Sequence, residues 1–192
     1  TQTEPAYIAT VARRGYRFVA DVQTSIGEIE DHPAQAEPIP SPPPLRRGIV
    51  GREAEIAYIA RLLVDLRHLT LAGAGGIGKT TVAVAVAQAI ASRYRDGVCF
   101  VDLATIADPT LFGAAMVTAL GIRGNPDNSL AAVLDYLRPR QVLLILDNCE
   151  HVLPAATIFA GRFLADTSPS RLLATSREPL GTATEHVVRL GS

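Results

Sequence analysis

The feature that most restricts how this chain can fold is the stretch Gly73-Ala74-Gly75-Gly76-Ile77-Gly78-Lys79-Thr80. It has the spacing G-x-x-x-x-G-K-[ST], and it lies between a short apolar run at 69–73 and a longer one from Thr80. Glycine backbone can wrap so that successive N–H groups point inward, which makes a seat for a phosphate oxyanion. Lys79 then falls at the N-terminus of the following helix. The macrodipole disfavours a cation there unless an anion sits between them, and a β/γ-phosphate is such an anion. Thr80 offers a hydroxyl to Mg2+, and Thr81 reaches the α-phosphate region. Lys79 is the one lysine of the chain, beside 17 arginines. A compact ammonium is used at this position alone, and its shape and hydration distinguish it from a guanidinium.

Around the loop, helical and strand-like patterns alternate. Ile56, Ile59, Leu63 and Leu66 share one face of a helix over 53–66. A strand is predicted at 69–73 and a helix over 80–93, where the alternation of Val82–Ala87 fits a period of two or a buried helix equally well, and length and alanine content favour the helix. A strand at 98–103 comes next. Asp108-Pro109 caps a helix that closes at Gly121, and Asn128 or Ser129 opens another that Pro139 stops. The aliphatic run 142–146 reads as a central parallel strand covered on both faces. A helix within 153–165 and strands at 171–175 and 186–190 complete the series. The fold class is α/β, a three-layer parallel-sheet P-loop NTPase core.

Asp147 ends the aliphatic run, where a carboxylate at a strand's C-terminal edge serves the Mg2+ shell of phosphate-loop NTPases. The strand predicted between the loop and Asp147 points to the subclass in which the metal strand is not the loop strand's sequence neighbour. An acid after the metal aspartate often activates water in that subclass. Here the next residue is Asn148, which cannot act as a carboxylate base, so Glu150 and His151 are the candidates, or else caps of the next helix. Thr175-Ser176-Arg177 follows a later strand, and Arg177 can contact a γ-phosphate there. Val50-Gly51-Arg52-Glu53 precedes the first helix, where Val50 and Arg52 can flank an adenine.

Two other functions share these motifs. Gly73, Gly75 and Gly78 also fit G-x-G-x-x-G, and Asp102 stands 24 residues beyond Gly78, near the place of a ribose-binding acid. An NAD(P)-binding Rossmann oxidoreductase is therefore one alternative, although it leaves Lys79-Thr80 unexplained. A P-loop metabolic enzyme or kinase is the other.

The N-terminal 47 residues are of another kind. Residues 7–20 hold two β-prone runs flanking Arg13-Arg14-Gly15, a hairpin too small to fold alone. Residues 21–47 carry six prolines and an acidic excess, the composition of an unfolded linker. The start at Thr1 without Met suggests an excised piece, with no secretory leader in view. The net charge of −1 argues against the whole chain being a basic glove for nucleic acid, and no apolar run is long enough for a membrane helix. Cys99 and Cys149 lie far apart in apolar runs, as buried thiols of a cytoplasmic protein would.

Taken together, residues 50–53, 73–81, 97–103 (GVCFVDL), 146–151 (LDNCEH) and 175–180 (TSREPL) resemble the bacterial regulatory branch of the STAND-class, NB-ARC-like ATPases, over 48–192. The resemblance implies an ADP/ATP-driven switch with slow Mg2+-dependent hydrolysis. Val50 and Arg52 would line adenine, Gly73 and Gly75–Thr81 the phosphates, Thr80 and Asp147 the Mg2+, and Arg177 the γ-phosphate. Residues 7–20 are similar to the C-terminal hairpin of the response-regulator-type winged helix, without the first glycine of its turn. That implies a DNA-binding transcriptional regulator as parent, with Arg13, Arg14 or Arg17 touching backbone phosphate. The recognition helix would lie before Thr1, so this piece should not read DNA sequence by itself. The family also implies a helical lid after Ser192 and self-association of the parent through the nucleotide domain.

Overall fold

A computed structural model describes residues 8–11, 15–18, 42–43, 51–106, 108–122, 129–165 and 169–191. The chain divides into two compact units, Thr1–Ala36 and Glu37–Ser192. In the first, β1 (Ile8–Val11) and β2 (Gly15–Phe18) pair antiparallel, from Ile8 opposite Phe18 to Val11 opposite Gly15. The hairpin is therefore present. Arg13 and Arg14 lie outside the described residues, as do the side chain of Arg17 and the proline-rich segment apart from residues 42 and 43.

The second unit runs α1 (Glu53–Asp65), β3 (His68–Ala72), α2 (Lys79–Ile90), β4 (Val98–Asp102), α3 (Phe112–Ala119), α4 (Ser129–Leu137), β5 (Leu143–Asp147), α5 (Leu153–Ala165), β6 (Arg171–Ser176) and β7 (His186–Arg189). Among the described residues five strands make one sheet in the order β4-β5-β6-β3-β7, every pairing parallel. Alternate side chains of β5 show why three layers form. Leu143 and Ile145 join Ile59 and Leu63 of α1 and Val82 and Val86 of α2. Leu144 and Leu146 join Phe112 of α3, Val133 of α4 and Phe159 of α5 on the opposite face. All five residues of β3 and of β5 are buried, so both are interior strands.

Local chemistry sets the helix ends. Asp108 accepts from the Thr110 N–H at 2.9 Å, but residues Pro109–Leu111 first form a 3-10 turn, and α3 begins only at Phe112. Gly121, at φ 65°, closes that helix, with its N–H on Thr118 O and the Ile122 N–H on Val117 O. The helix expected over 80–93 starts at Lys79 and gives way at Ala91 to a 3-10 turn. Val82–Ala87 are buried throughout, as a helix enclosed on most faces requires.

The strand order removes the dinucleotide alternative. That fold sets its ribose-binding acid on the strand beside the glycine-loop strand. Here Asp102 ends β4 at the sheet edge, and β5 and β6 both stand between it and β3. The expected separation of the loop strand from the strand ending in Asp147 is present: β4 lies between β3 and β5 in sequence, and β6 lies between them in space.

Candidate functional site

The loop between β3 and α2 occupies the C-terminal edge of the sheet, where parallel α/β folds bind ligands. Gly76 and Gly78 adopt φ of 76° and 93°, a left-handed backbone that favours glycine. Gly73 answers to a different constraint: a Cβ there would stand 3.1 Å from Leu190 O and 3.3 Å from Ile77 Cγ2. Its N–H donates to Ser176 O at 3.2 Å, which ties the loop to β6.

Lys79 is buried at the start of α2, and its Nζ donates to Gly73 O at 2.9 Å and Ala74 O at 3.0 Å. The loop's own carbonyls thus supply the negative partner that a cation at a helix N-terminus needs. Thr80 Oγ1 stands 2.9 Å from both carboxylate oxygens of Asp147 and donates to that group. From β6, Thr175 Oγ1 donates to Asp147 Oδ1 at 2.5 Å and accepts the Asn148 N–H at 3.0 Å. Burial pushes the Asp147 carboxyl above its ordinary range; the Thr175 and Thr80 hydrogen bonds oppose this, and the charges of Asp102 and Glu150 add to it. A hydroxyl and a buried carboxylate converging in this way form an oxygen-donor set that suits a hard cation such as Mg2+.

Facing the loop are Asn148, at φ 60°, and the 3-10 turn Cys149–His151. Arg177 Nε donates to Glu150 Oε1 at 3.2 Å. The Arg177 guanidinium lies alongside the loop, its Nη2 3.6 Å from where a Cβ on Gly75 would stand. Together these groups enclose a cleft of about 370 Å3, lined on the loop side by Gly75, Gly76, Gly78, Lys79, Thr80 and Thr81 and opposite by Asn148, Glu150, His151 and Arg177. Its size and polar lining suit a small charged ligand.

The structure thus brings together most residues singled out in the sequence. Ile77 packs against the α1/α2 side of the core. Arg52 has other partners: its guanidinium bonds Glu55 at 2.8 Å, Ile77 O at 3.3 Å and Gly191 O at 2.9 Å, so it ties the start of α1 to the loop. Val50 lies outside the described residues. Sequence reasoning missed Thr175 and Asn148 as partners of Asp147. A hydroxyl near the end of a buried strand, and an asparagine where a strand ends, were the signals available. Among the described residues no three or more His, Cys, Asp or Glu side chains are grouped so as to hold a metal ion, and no helix is long and apolar enough to cross a membrane.

Comparison with solved structures gives the same architecture. A STAND-class signal transduction ATPase with a tetratricopeptide repeat sensor, from Pyrococcus horikoshii, superposes over 83% of this chain and 25% of its own, with TM-score 0.52 and 16% identity. The fold is that of the P-loop ATPases. A Drosophila ORC structure bound to DNA matches over 74% of this chain and 43% of its own, with TM-score 0.57 and 15% identity. No family model matches the sequence. Among curated proteins, one from Mycobacterium tuberculosis, provisionally named an HTH-type transcriptional regulator, is 40% identical over 132 residues, or 68% of this chain and 15% of that protein. The regulatory protein AfsR of Streptomyces coelicolor is 35% identical over 100 residues, 47% of this chain and 10% of its own. The chain thus spans about 15% of the length of the first of these relatives.

Proposed function

We propose that this chain is the ATP/ADP-binding switch module of a DNA-binding transcriptional regulator of the STAND-class, NB-ARC-like kind, and that it hydrolyses ATP slowly with Mg2+. The observation that carries the proposal is the contact of Thr80, in the first turn of α2 after the glycine loop, with both oxygens of Asp147 at the end of β5. Two oxygen donors from separate elements meet beneath a loop built to receive phosphate. Residues Gly73–Thr81 hold the phosphates, with Lys79 moving from the loop carbonyls to the ligand's oxygens. Thr80 and Asp147 hold Mg2+, which when bound neutralises charge on the β- and γ-phosphates. Arg177 contacts the γ-phosphate, and Glu150 and His151 are the groups within the cleft able to accept a proton from water. With Asn148 where a carboxylate base often stands, turnover is slow, as suits a switch rather than a metabolic enzyme or kinase.

The regulatory half of the proposal draws support from the relatives named as transcriptional regulators and from the hairpin of β1 and β2. DNA is bound by the longer protein, with Arg13, Arg14 and Arg17 available for backbone phosphate. Arg52 and Val50 are assigned to the adenine side, and self-association to the longer protein. The test is calorimetric titration of ATP, ADP and NADH with Mg2+ into the chain and into Lys79→Ala. Adenine nucleotides should bind, and the variant should weaken them about tenfold or more, the scale of a lost charge-assisted contact. Binding of NADH with indifference to Lys79, or no adenine-nucleotide binding at all, would overturn the proposal.

A further inference from the structure

Glu150 has one polar partner among the described residues. Its Oε1 accepts from Arg177 Nε, while Oε2 is buried with no hydrogen-bond partner. The two side chains differ in setting, with Glu150 13% exposed and Arg177 66% exposed. A half-exposed pair of this kind adds little to folding stability. Its geometry is more informative than its energy. The carboxylate takes the guanidinium by the Nε edge, and Nη2 lies alongside Gly75 of the glycine loop. A guanidinium is a rigid planar fork, so fixing one edge sets the direction of the others.

We propose that Glu150 is the positioning residue for Arg177, holding the guanidinium so that its Nη groups face the terminal phosphate of a bound nucleoside triphosphate and thereby setting the preference for triphosphate over diphosphate. The inference rests on the nucleotide-binding role proposed above. A diphosphate held by Lys79 and Thr80 has no group at the Arg177 fork. A triphosphate does, and it gains charge-assisted hydrogen bonds only if the fork is already aimed, because an unheld arginine loses side-chain freedom on binding. Glu150 as positioner differs testably from Glu150 as base: an amide retains the Oε1 acceptor but cannot take a proton.

The experiment is titration of ADP and a non-hydrolysable ATP analogue, with Mg2+, into the chain and into Glu150→Ala, Glu150→Gln and Arg177→Ala. Thermal melts establish that each variant folds. The native chain should prefer the triphosphate. Arg177→Ala and Glu150→Ala should each cut that preference about tenfold, the double variant no further, and Glu150→Gln should retain it. ADP affinity should fall less than triphosphate affinity in each variant, since Lys79 and Thr80 are left in place. A native preference surviving in Glu150→Ala, or lost equally in Glu150→Gln, overturns the positioning role. A native chain that binds both nucleotides without preference overturns it while leaving the nucleotide site standing. Binding of neither overturns both.

Discussion

The side-chain amide of Asn148 donates to Asp102 Oδ1 at 3.0 Å, across from β5 to the end of β4. The same Nδ2 donates to Asp147 Oδ2 at 3.1 Å. Asp102 and Asp147 are register partners, so two carboxylates end neighbouring strands side by side. An amide between them offsets like-charge repulsion without adding charge. The backbone selects the same residue type: at φ 60° Asn148 is the non-glycine with positive φ among the described residues, and asparagine tolerates that region.

Replacing Asn148 separates those two contributions. Asn148→Gly keeps the backbone and loses the bridge, and should cost about 1 kcal/mol. Asn148→Ala loses both and should cost a further 1–2 kcal/mol or so from left-handed strain. Urea denaturation checks the order; an alanine variant as stable as the glycine one would show that backbone strain is not limiting.

Thr175→Val tests the hydroxyl that orients Asp147. It strands the Asn148 N–H and removes one of the two hydroxyls on Asp147 Oδ1, leaving that of Thr80. Stability should fall by about 3 kcal/mol in a urea melt, and Thr175→Ser should restore most of it.

His68 supplies a pH dependence. It is buried at the start of β3, with Nδ1 2.8 Å from Thr182 Oγ1, and burial pulls its pKa below the ordinary 6.5 despite the opposing charge of Glu185. The unfolded chain therefore binds a proton that the folded chain refuses. Stability from this residue is full above pH 6.5 and declines as pH falls toward the depressed folded pKa. Urea midpoints at pH 7.5 and 5.5 should differ less in His68→Asn than in the native chain; equal slopes would assign the acid sensitivity elsewhere.

Both thiols are sealed. Cys99 is fully buried and its pKa is pushed up to about 12, and burial raises that of Cys149 as well. Neither should react with a disulfide reagent at pH 8 in the native chain, and both should react once urea unfolds it. Spectrophotometric titration of released thiolate gives the count directly.

Much of this was legible beforehand because its causes are local. The glycine loop and the aliphatic run into Asp147 each carry their reason in consecutive residues, whereas the Val/Ala run of α2 fits a strand period as well and is decided by its length. The order of the sheet is not written that way: nothing in 171–176 says that β6 lies between β3 and β5. For the same reason Asp102 looked like a ribose acid at its distance along the chain, yet sits at the far edge of the sheet beside Asp147. The hydrogen-bond partners of Asp147 come from α2, from β6 and from the residue after β5, and a set gathered from separate elements leaves only faint marks on any one of them. Arg52 is similar, since its bonds to Ile77 O and Gly191 O span 25 and 139 residues.

The place of β6 has a mechanical consequence. Its last residues grip the glycine loop on one side, through Ser176 O and the Gly73 N–H, and the acidic strand end on the other, through Thr175 and Asp147. A shift of that strand tip by a fraction of an ångström would loosen or tighten both grips at once. The two halves of the site are therefore geared to a single shaft, and Arg177, the next residue along, turns with it.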